Sequence, residues 1–299
     1  MKIAVLDIGG TFIKSGLYGD AGLQMIKETP TPGAPKGENI MACVKEILKE
    51  YGSFDAIGVS TTGQVDCERG IIRGCIGPEN GYLGTDIRGI LEGSFHVPVA
   101  VDNDVNAAAL GEAYFGAGRD QKDFLCLTYG TGVGGAIVMD RTLFRGSCFS
   151  AAEFGLMITH GKERKDMGDF RTGTYDNSAS TRALVRSASS YDPELGNGRM
   201  IFSRLNEPAV KAIVDDWIDE ILIGLANLIY IFNPPCVILG GGVMEQPYLL
   251  NEIQRRLGDY VMPSFMNVTI RLAEQGNRAG LLGAAMEAKE LLYLRLGTM

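Results

Sequence analysis

The run Ile3-Ala4-Val5-Leu6-Asp7-Ile8-Gly9-Gly10-Thr11-Phe12-Ile13-Lys14-Ser15-Gly16-Leu17 decides how the rest of the chain is read. Residues 3–6 are apolar and partly β-branched, the composition of a buried strand, and that strand delivers Asp7 to its open end. Gly9 and Gly10 permit a tight turn whose backbone amides can face an anion with no Cβ in the way. Thr11 adds a hydroxyl, and Lys14 sits on the returning strand. A carboxylate beside bare amides makes a poor anion site unless a cation stands between them. The economical reading is a Mg²⁺–nucleotide phosphate, with Asp7 on the metal side through its waters. The plain alternative is a Gly-Gly hairpin that binds nothing.

Working outward, residues 23–29 can supply a third strand, and the Pro- and Gly-rich residues 30–37 a loop. Ile40, Cys43, Val44, Ile47 and Leu48 form a helical stripe over residues 39–51. Residues 54–60 read as a strand ending in the polar loop Thr61-Thr62-Gly63-Gln64-Val65-Asp66. Residues 97–101 are another strand, running into Asp102-Asn103-Asp104, and the alanine-rich stretch to Phe115 is a helix. Residues 124–140 then repeat the opening pattern: an apolar strand, the turn Gly130-Thr131-Gly132-Val133-Gly134, and a second apolar strand. A weak repeat of this size implies two related domains whose glycine turns close on one polyphosphate from opposite sides of a cleft. Residues 208–232 carry a long apolar stripe that Asn233-Pro234-Pro235 stops, so they form a long, mostly buried helix. Residues 236–239 are a strand leading into a third glycine turn, Gly240-Gly241-Gly242-Val243. An edge strand over 268–272 and a helix over 280–296 end the chain.

Composition narrows the function. At 299 residues the chain exceeds the size at which a single core stops growing, so two domains are expected. The formal charge is −8 with no Lys/Arg-rich run, which argues against a nucleic-acid partner and leaves an anionic substrate to be held by metal and local dipoles. The six cysteines are scattered without C-x-x-C spacing, as in a reduced, cytoplasmic protein. No targeting segment opens the chain and no apolar run is long enough to cross a bilayer, so no membrane partner is expected.

Together these stretches carry a resemblance to the ROK family (repressors, open reading frames, kinases) of the actin/hexokinase-like, ribonuclease H-like ATPases. Asp7 to Lys14, D-I-G-G-T-F-I-K, resembles the family's phosphate-1 motif, and Thr131 to Gly135, T-G-V-G-G, its phosphate-2 turn. Gly240 to Val243 is similar to the adenosine-side turn. Asn103 to Glu112 is similar to N-D-x-N-A-A-A-L-G-E, and Ala279 to Ala285 to the C-terminal signature. The resemblance implies two related α/β domains: a smaller one over residues 1–116 with the returning helix 284–299, and a larger one over 117–283. It implies a sugar kinase like bacterial glucokinase, N-acetylmannosamine kinase or β-glucoside kinase, using ATP and Mg²⁺, with hinge closure excluding water. Homodimers are typical of the family, although no residue here points to one.

Asp104 would be the general base toward the sugar hydroxyl. At a helix start its carboxylate should be stabilised by the helix dipole, so its pKa is expected not to rise; the ordinary role for such an Asp is an N-cap. Asn103, Glu153 and Asp176 would bind sugar, with Gly63 and Asn80 as further sugar-side candidates. Asp7, Gly9, Gly10, Thr11, Lys14, Gly130, Thr131, Gly132, Gly134, Gly241 and Gly242 would hold the nucleotide, Asp7 also contacting Mg²⁺ through water.

The sequence departs from the family at its zinc cluster. Leu156 stands where the family has His, and Met167, Asp169 and Thr174 lie near its cysteine positions, so no zinc site is expected. His160 alone cannot replace it, and His96 reads as a surface or strand-edge residue. Leu156 also takes a polar partner from the anomeric side of the sugar, which favours a β-glucoside over free glucose or N-acetylmannosamine. Two other functions compete. A repressor of this family would carry a helix-turn-helix before the first strand, which here starts at residue 3; a sugar sensor would be expected to lose Asp104 or the glycine turns.

Overall fold

A computed structural model describes residues 1–33, 36–74, 81–164 and 170–297. The chain divides into two compact units, Met1–Arg119 with Arg145–Ala151 and Asn277–Met299, and Asp120–Phe144 with Ala152–Gly276. This division differs in three places from the one read in the sequence, the first being that the opening segment runs to Arg119 instead of 116. Residues 145–151 group with the first unit, because Arg145 is ion-paired to Asp102 and Glu287. The chain rejoins that unit at 277 instead of 284, where the Asn277 side-chain oxygen accepts from Lys14 Nζ at 3.2 Å.

The first unit begins with β1 (Ile3–Ile8), β2 (Phe12–Gly19) and β3 (Gly22–Pro30), an antiparallel meander. Helix α1 (Lys36–Lys49) leads to β4 (Ala56–Thr61), then the short pair β5 (Gln64–Asp66) and β6 (Ile71–Gly74). Helix α2 (Ile87–Phe95), β7 (Val99–Asn103) and α3 (Asp104–Phe115) follow. The strand order is β3-β2-β1-β4-β7, with β4 parallel to β1 and β7 parallel to β4. β1 is central, and Ile3 to Leu6 are wholly buried, as an apolar run with no alternation requires. The sequence reading did not identify β5, β6 or α2. α2 carried a signal: the Asp86 side chain caps it by accepting the Gly89 N–H at 2.8 Å.

The second unit repeats the scheme. Strands β8 (Phe124–Tyr129), β9 (Val133–Met139) and β10 (Thr142–Leu143) form the meander. Four helices follow: α4 (Tyr175–Ala179), α5 (Thr181–Tyr191), α6 (Gly198–Ser203) and α7 (Pro208–Phe232). Then come β11 (Cys236–Gly240), α8 (Pro247–Tyr260) and β12 (Thr269–Leu272). The order β10-β9-β8-β11-β12 matches that of the first sheet, so the weak sequence repeat is a repeated sheet. Helix α7 is the centre of this core: Trp217, Ile218, Ile221, Leu222 and Leu225 are all buried. Each such side chain contributes about 1.5–3 kcal/mol by leaving water, and the helix stops at Asn233, a left-handed cap with φ 43°.

The last helix, α9 (Ala279–Leu296), belongs to the first unit. It lies along β4, with Gly280 over Ser60 and Asp7, and Ala284 over Gly58. Four helical residues rise about 6 Å and two strand residues about 6.6 Å, so the two spacings keep step. A Cβ on Gly283 would overlap the Ala107 carbonyl of α3, so the α3–α9 contact depends on glycine there. No helix among the described residues is long and apolar enough to cross a membrane.

Candidate active site

In the first unit, strand register builds the phosphate-side site. The hairpin pairs Asp7 with Lys14, the parallel ladder pairs Asp7 with Ser60, and the next ladder pairs Ser60 with Asp102. One row across four strands therefore reads Lys14, Asp7, Ser60, Asp102. Ser60 donates its hydroxyl to Asp7 Oδ1 at 2.7 Å, and Lys14 Nζ stands 3.8 Å from Oδ2. Burial pushes the Asp7 carboxyl up, while Ser60 and Lys14 pull it down. Ser60 was not singled out in the sequence; only its place at the end of an apolar strand marks it.

The Gly9–Phe12 turn is closed by Gly9 N–H donating to the Phe12 carbonyl at 3.0 Å, so this amide serves the turn itself. Thr31 straps it from outside, its hydroxyl donating to Gly9 O at 2.7 Å and its N–H to Thr11 O at 2.9 Å. Gly10 and Thr11 are exposed at the tip, and no protein atom lies within 4 Å of where a Gly10 Cβ would stand.

At the end of β7 the chain turns directly into α3. Asn103, not Asp104, is the N-cap: its Oδ1 accepts from Val105 N–H at 2.9 Å and Asn106 N–H at 3.3 Å. Its Nδ2 donates to the Gly63 carbonyl at 3.0 Å, so two expected sugar-side residues are brought together. Asp104 is the first helical residue, and its Oδ1 also accepts from Val105 N–H, at 2.9 Å. The expectation that a helix start would hold it acidic fails. Its carboxyl is pushed up to about 7, first by burial and then by the nearby Asp7 charge, which together outweigh the Val105 and Asn103 bonds favouring the anion.

The second unit presents its own turns. Gly130, Thr131 and Gly132 form the tip between β8 and β9, with Gly130 N–H bonded to Gly132 O at 2.8 Å, whereas Gly134 lies within β9 opposite Thr128. Asp176, on α4, packs against this tip. Its Oδ1 accepts from Val133 N–H at 2.6 Å and its Oδ2 from Arg182 at 3.0 Å. Both oxygens of this expected sugar ligand are thus engaged within the unit. Gly241 follows β11 with φ 102°, and a Cβ there would run into the Tyr129 carbonyl, so only glycine fits; Gly242 faces no protein atom within 4 Å. Glu153 is exposed, between Ala152 in a left-handed conformation (φ 66°) and buried Phe154. Leu156, half-buried, closes the short helical turn that follows. Asn80 lies outside the described residues.

The Asp7 charge stands close enough to Asp104 to raise its proton affinity, so the two carboxylates of the first unit form a pair. Such a pair of hard oxygen donors beside a phosphate-type turn fits Mg²⁺. At the family's zinc position, Met167 and Asp169 lie outside the described residues. His160 is taken by its own unit: Nε2 is 3.3 Å from Glu220 Oε1, and Nδ1 is 3.0 Å from the Thr159 hydroxyl. His96 caps α2 at the surface. Among the described residues, no group of three or more His, Cys, Asp or Glu side chains could hold a metal ion.

Residues 3–290 match the ROK family. A β-glucoside kinase of Listeria innocua is 35% identical over 292 residues, spanning 95% of this chain and 96% of that protein. A glucokinase of Streptomyces coelicolor is 30% identical over 311 residues, spanning 95% and 96%. The crystal structure of a ROK family glucokinase from Streptomyces griseus, in complex with glucose and AMPPNP, has a TM-score of 0.82 at 29% identity, covering 97% of this chain and 100% of that one.

Proposed function

The chain belongs to the ROK family, and from that premise we propose that it is an ATP-dependent sugar kinase that moves the γ-phosphoryl group to the 6-hydroxyl of a hexose unit, with Asp104 as general base. The observation that carries this reading is the Asp104 carboxyl itself. It heads α3 in the same unit as the Gly9–Phe12 turn, with a pKa near 7. A base whose pKa matches the working pH combines a useful ionised fraction with real proton affinity. It accepts the proton as the sugar oxygen bonds to phosphorus and the bond to the ADP oxygen breaks.

Asp7 would hold Mg²⁺ through its waters, and the ion would supply charge neutralisation to the transferring phosphates. Lys14, Thr11 and the exposed Gly10 backbone serve the phosphates from the first unit. In the second unit, Gly130, Thr131, Gly132 and Gly134, with Gly241 and Gly242, are the candidates for binding nucleotide. Asn103, whose oxygen caps α3 and whose amide nitrogen meets the Gly63 carbonyl, would bind a neighbouring sugar hydroxyl at this corner. Glu153, exposed beside the buried Phe154, would bind the sugar. Asp176, bonded to Val133 and Arg182, is assigned to holding the Gly132 turn.

The acceptor we favour is a β-glucoside. Leu156 offers no hydrogen bond to a free anomeric hydroxyl, and the curated relative at 35% identity is a β-glucoside kinase. Free glucose is the second reading, supported by the glucokinase at 30% identity. A coupled ADP assay with cellobiose, gentiobiose, glucose and N-acetylmannosamine separates them: kcat/KM for the disaccharides should exceed that for glucose about tenfold. Equal values remove the β-glucoside argument. Asp104→Asn should lower kcat by about 10²–10⁴-fold in a folded protein; retained turnover refutes the base assignment.

A further inference from the structure

Behind the Asn103–Asp104 corner lies a charged cluster that phosphoryl transfer does not itself require. Asp102, 1% exposed, ends the register row of β7. Its Oδ1 accepts from Asn103 N–H at 2.6 Å and from Asn106 Nδ2 at 2.9 Å. The Arg145 guanidinium meets Oδ2, with Nε at 2.8 Å and Nη2 at 2.7 Å. Nη2 also donates to Glu287 Oε1 on α9, at 2.6 Å. Arg145 comes from the segment 145–151, whose Ala151 N–H folds back onto the Arg145 carbonyl at 3.1 Å. The groups facing the guanidinium are thus Asp102, Glu287 and the Cys67 thiol. Burial and the Asp102 charge push the Glu287 carboxyl well above the usual carboxylate range, while Arg145 pulls it down, so one guanidinium serves both carboxyl groups.

The consequence for Asp104 follows from connectivity. Asp102 fixes the backbone of Asn103 and the side chain of Asn106; Asn103 in turn caps Val105 and Asn106 and holds Gly63. The first turn of α3 is therefore tied to Arg145 through one intervening residue. Without the guanidinium, Asp102 would be a buried carboxylate without a cation, and the bonds it makes to Asn103 and Asn106 would not hold in their present geometry.

We propose that Arg145 is a positioning residue for the reaction: acting through Asp102, it sets the direction in which Asp104 presents its carboxylate to the acceptor hydroxyl. The proposal rests on the assignment of Asp104 as base. A purely structural clamp on segment 145–151 is the competing account, and kinetics separate the two.

Steady-state kinetics with varied sugar and ATP are measured on Arg145→Met, Arg145→Lys, Asp104→Asn and the double variant Arg145→Met/Asp104→Asn, with melting temperatures alongside. A misplacement of about 1 Å costs about 100-fold. Arg145→Met should accordingly lose about 30- to 100-fold in kcat while KM for ATP moves less than about threefold. Arg145→Lys keeps the cation without the fork and should lose about 5- to 10-fold, which also covers the case in which the Met variant does not fold. In the Asp104→Asn background, loss of Arg145 should cost less than about twofold more, because no base remains to be aimed. The proposal is overturned if Arg145→Met or Arg145→Lys turns over like wild type, if the kcat loss only follows the unfolded fraction, or if the two losses multiply in the double variant. Asp104→Asn retaining turnover sinks the base assignment by itself. Collapse of Asp104→Asn beside a normal Arg145→Met sinks the positioning role alone.

Discussion

Asp104 meets two opposed demands. Its folded carboxyl titrates near 7, whereas the ordinary value is 3.8, so the native state binds more protons than the unfolded chain between those limits. Stability contributed by this group therefore falls as pH rises from about 4 to about 7, and stays reduced above. Asp104→Asn removes that loss. At pH 8 the variant should be more stable than wild type by about 2–4 kcal/mol, and the difference should vanish near pH 4. Urea unfolding at the two pH values checks this; a difference that does not change with pH contradicts it. The same substitution that abolishes turnover should thus stabilise the fold, as expected where a site carries buried charge for chemistry.

Among the elements, contrasting glycines separate packing from binding. Gly283 of α9 faces the Ala107 backbone of α3, which cannot give way as a flexible side chain could. Gly283→Ala should cost about 3 kcal/mol, read as a lower urea midpoint with unchanged slope. Gly10, at the tip of the β1–β2 turn, has no protein atom within 4 Å of a Cβ position, and its φ is not positive. Gly10→Ala should leave stability within about 0.5 kcal/mol and raise KM for ATP about tenfold. A normal KM would mean that phosphates do not approach this turn. Helix α7 was legible residue for residue, from Pro208 to Phe232, because a proline start, a 25-residue apolar period and an Asn-Pro-Pro stop all agree. β5, β6 and α2 were not, because elements of 3, 4 and 9 residues carry too few periods to stand out from loops.

For the whole molecule, the two sheets share one strand order, and each unit carries its own glycine turn. Ligands that bind only the folded protein should raise its stability by about 2.7 kcal/mol at a hundred times their dissociation constant. With Asp104→Asn, which holds substrates without consuming them, thermal shifts in the presence of Mg·ATP should rank cellobiose and gentiobiose above glucose and N-acetylmannosamine. An inverted ranking would count against the β-glucoside acceptor independently of turnover.

The sequence by itself determined the family, the doubled α/β plan and the positions of the glycine turns, because each is written in contiguous residues: an apolar strand, a Gly/Thr turn, a returning strand. Tertiary structure alone decided what those residues do to one another. Strand register placed Ser60 on Asp7 and Asp102 beneath the α3 corner; burial raised Asp104 where its helix position argued for the opposite; Asp176 found its partners at Val133 and Arg182. Arg145 and Glu287 are 142 residues apart, and only the folded chain brings their charges together. Such pairings depend on distance and desolvation, and neither is a property of local sequence.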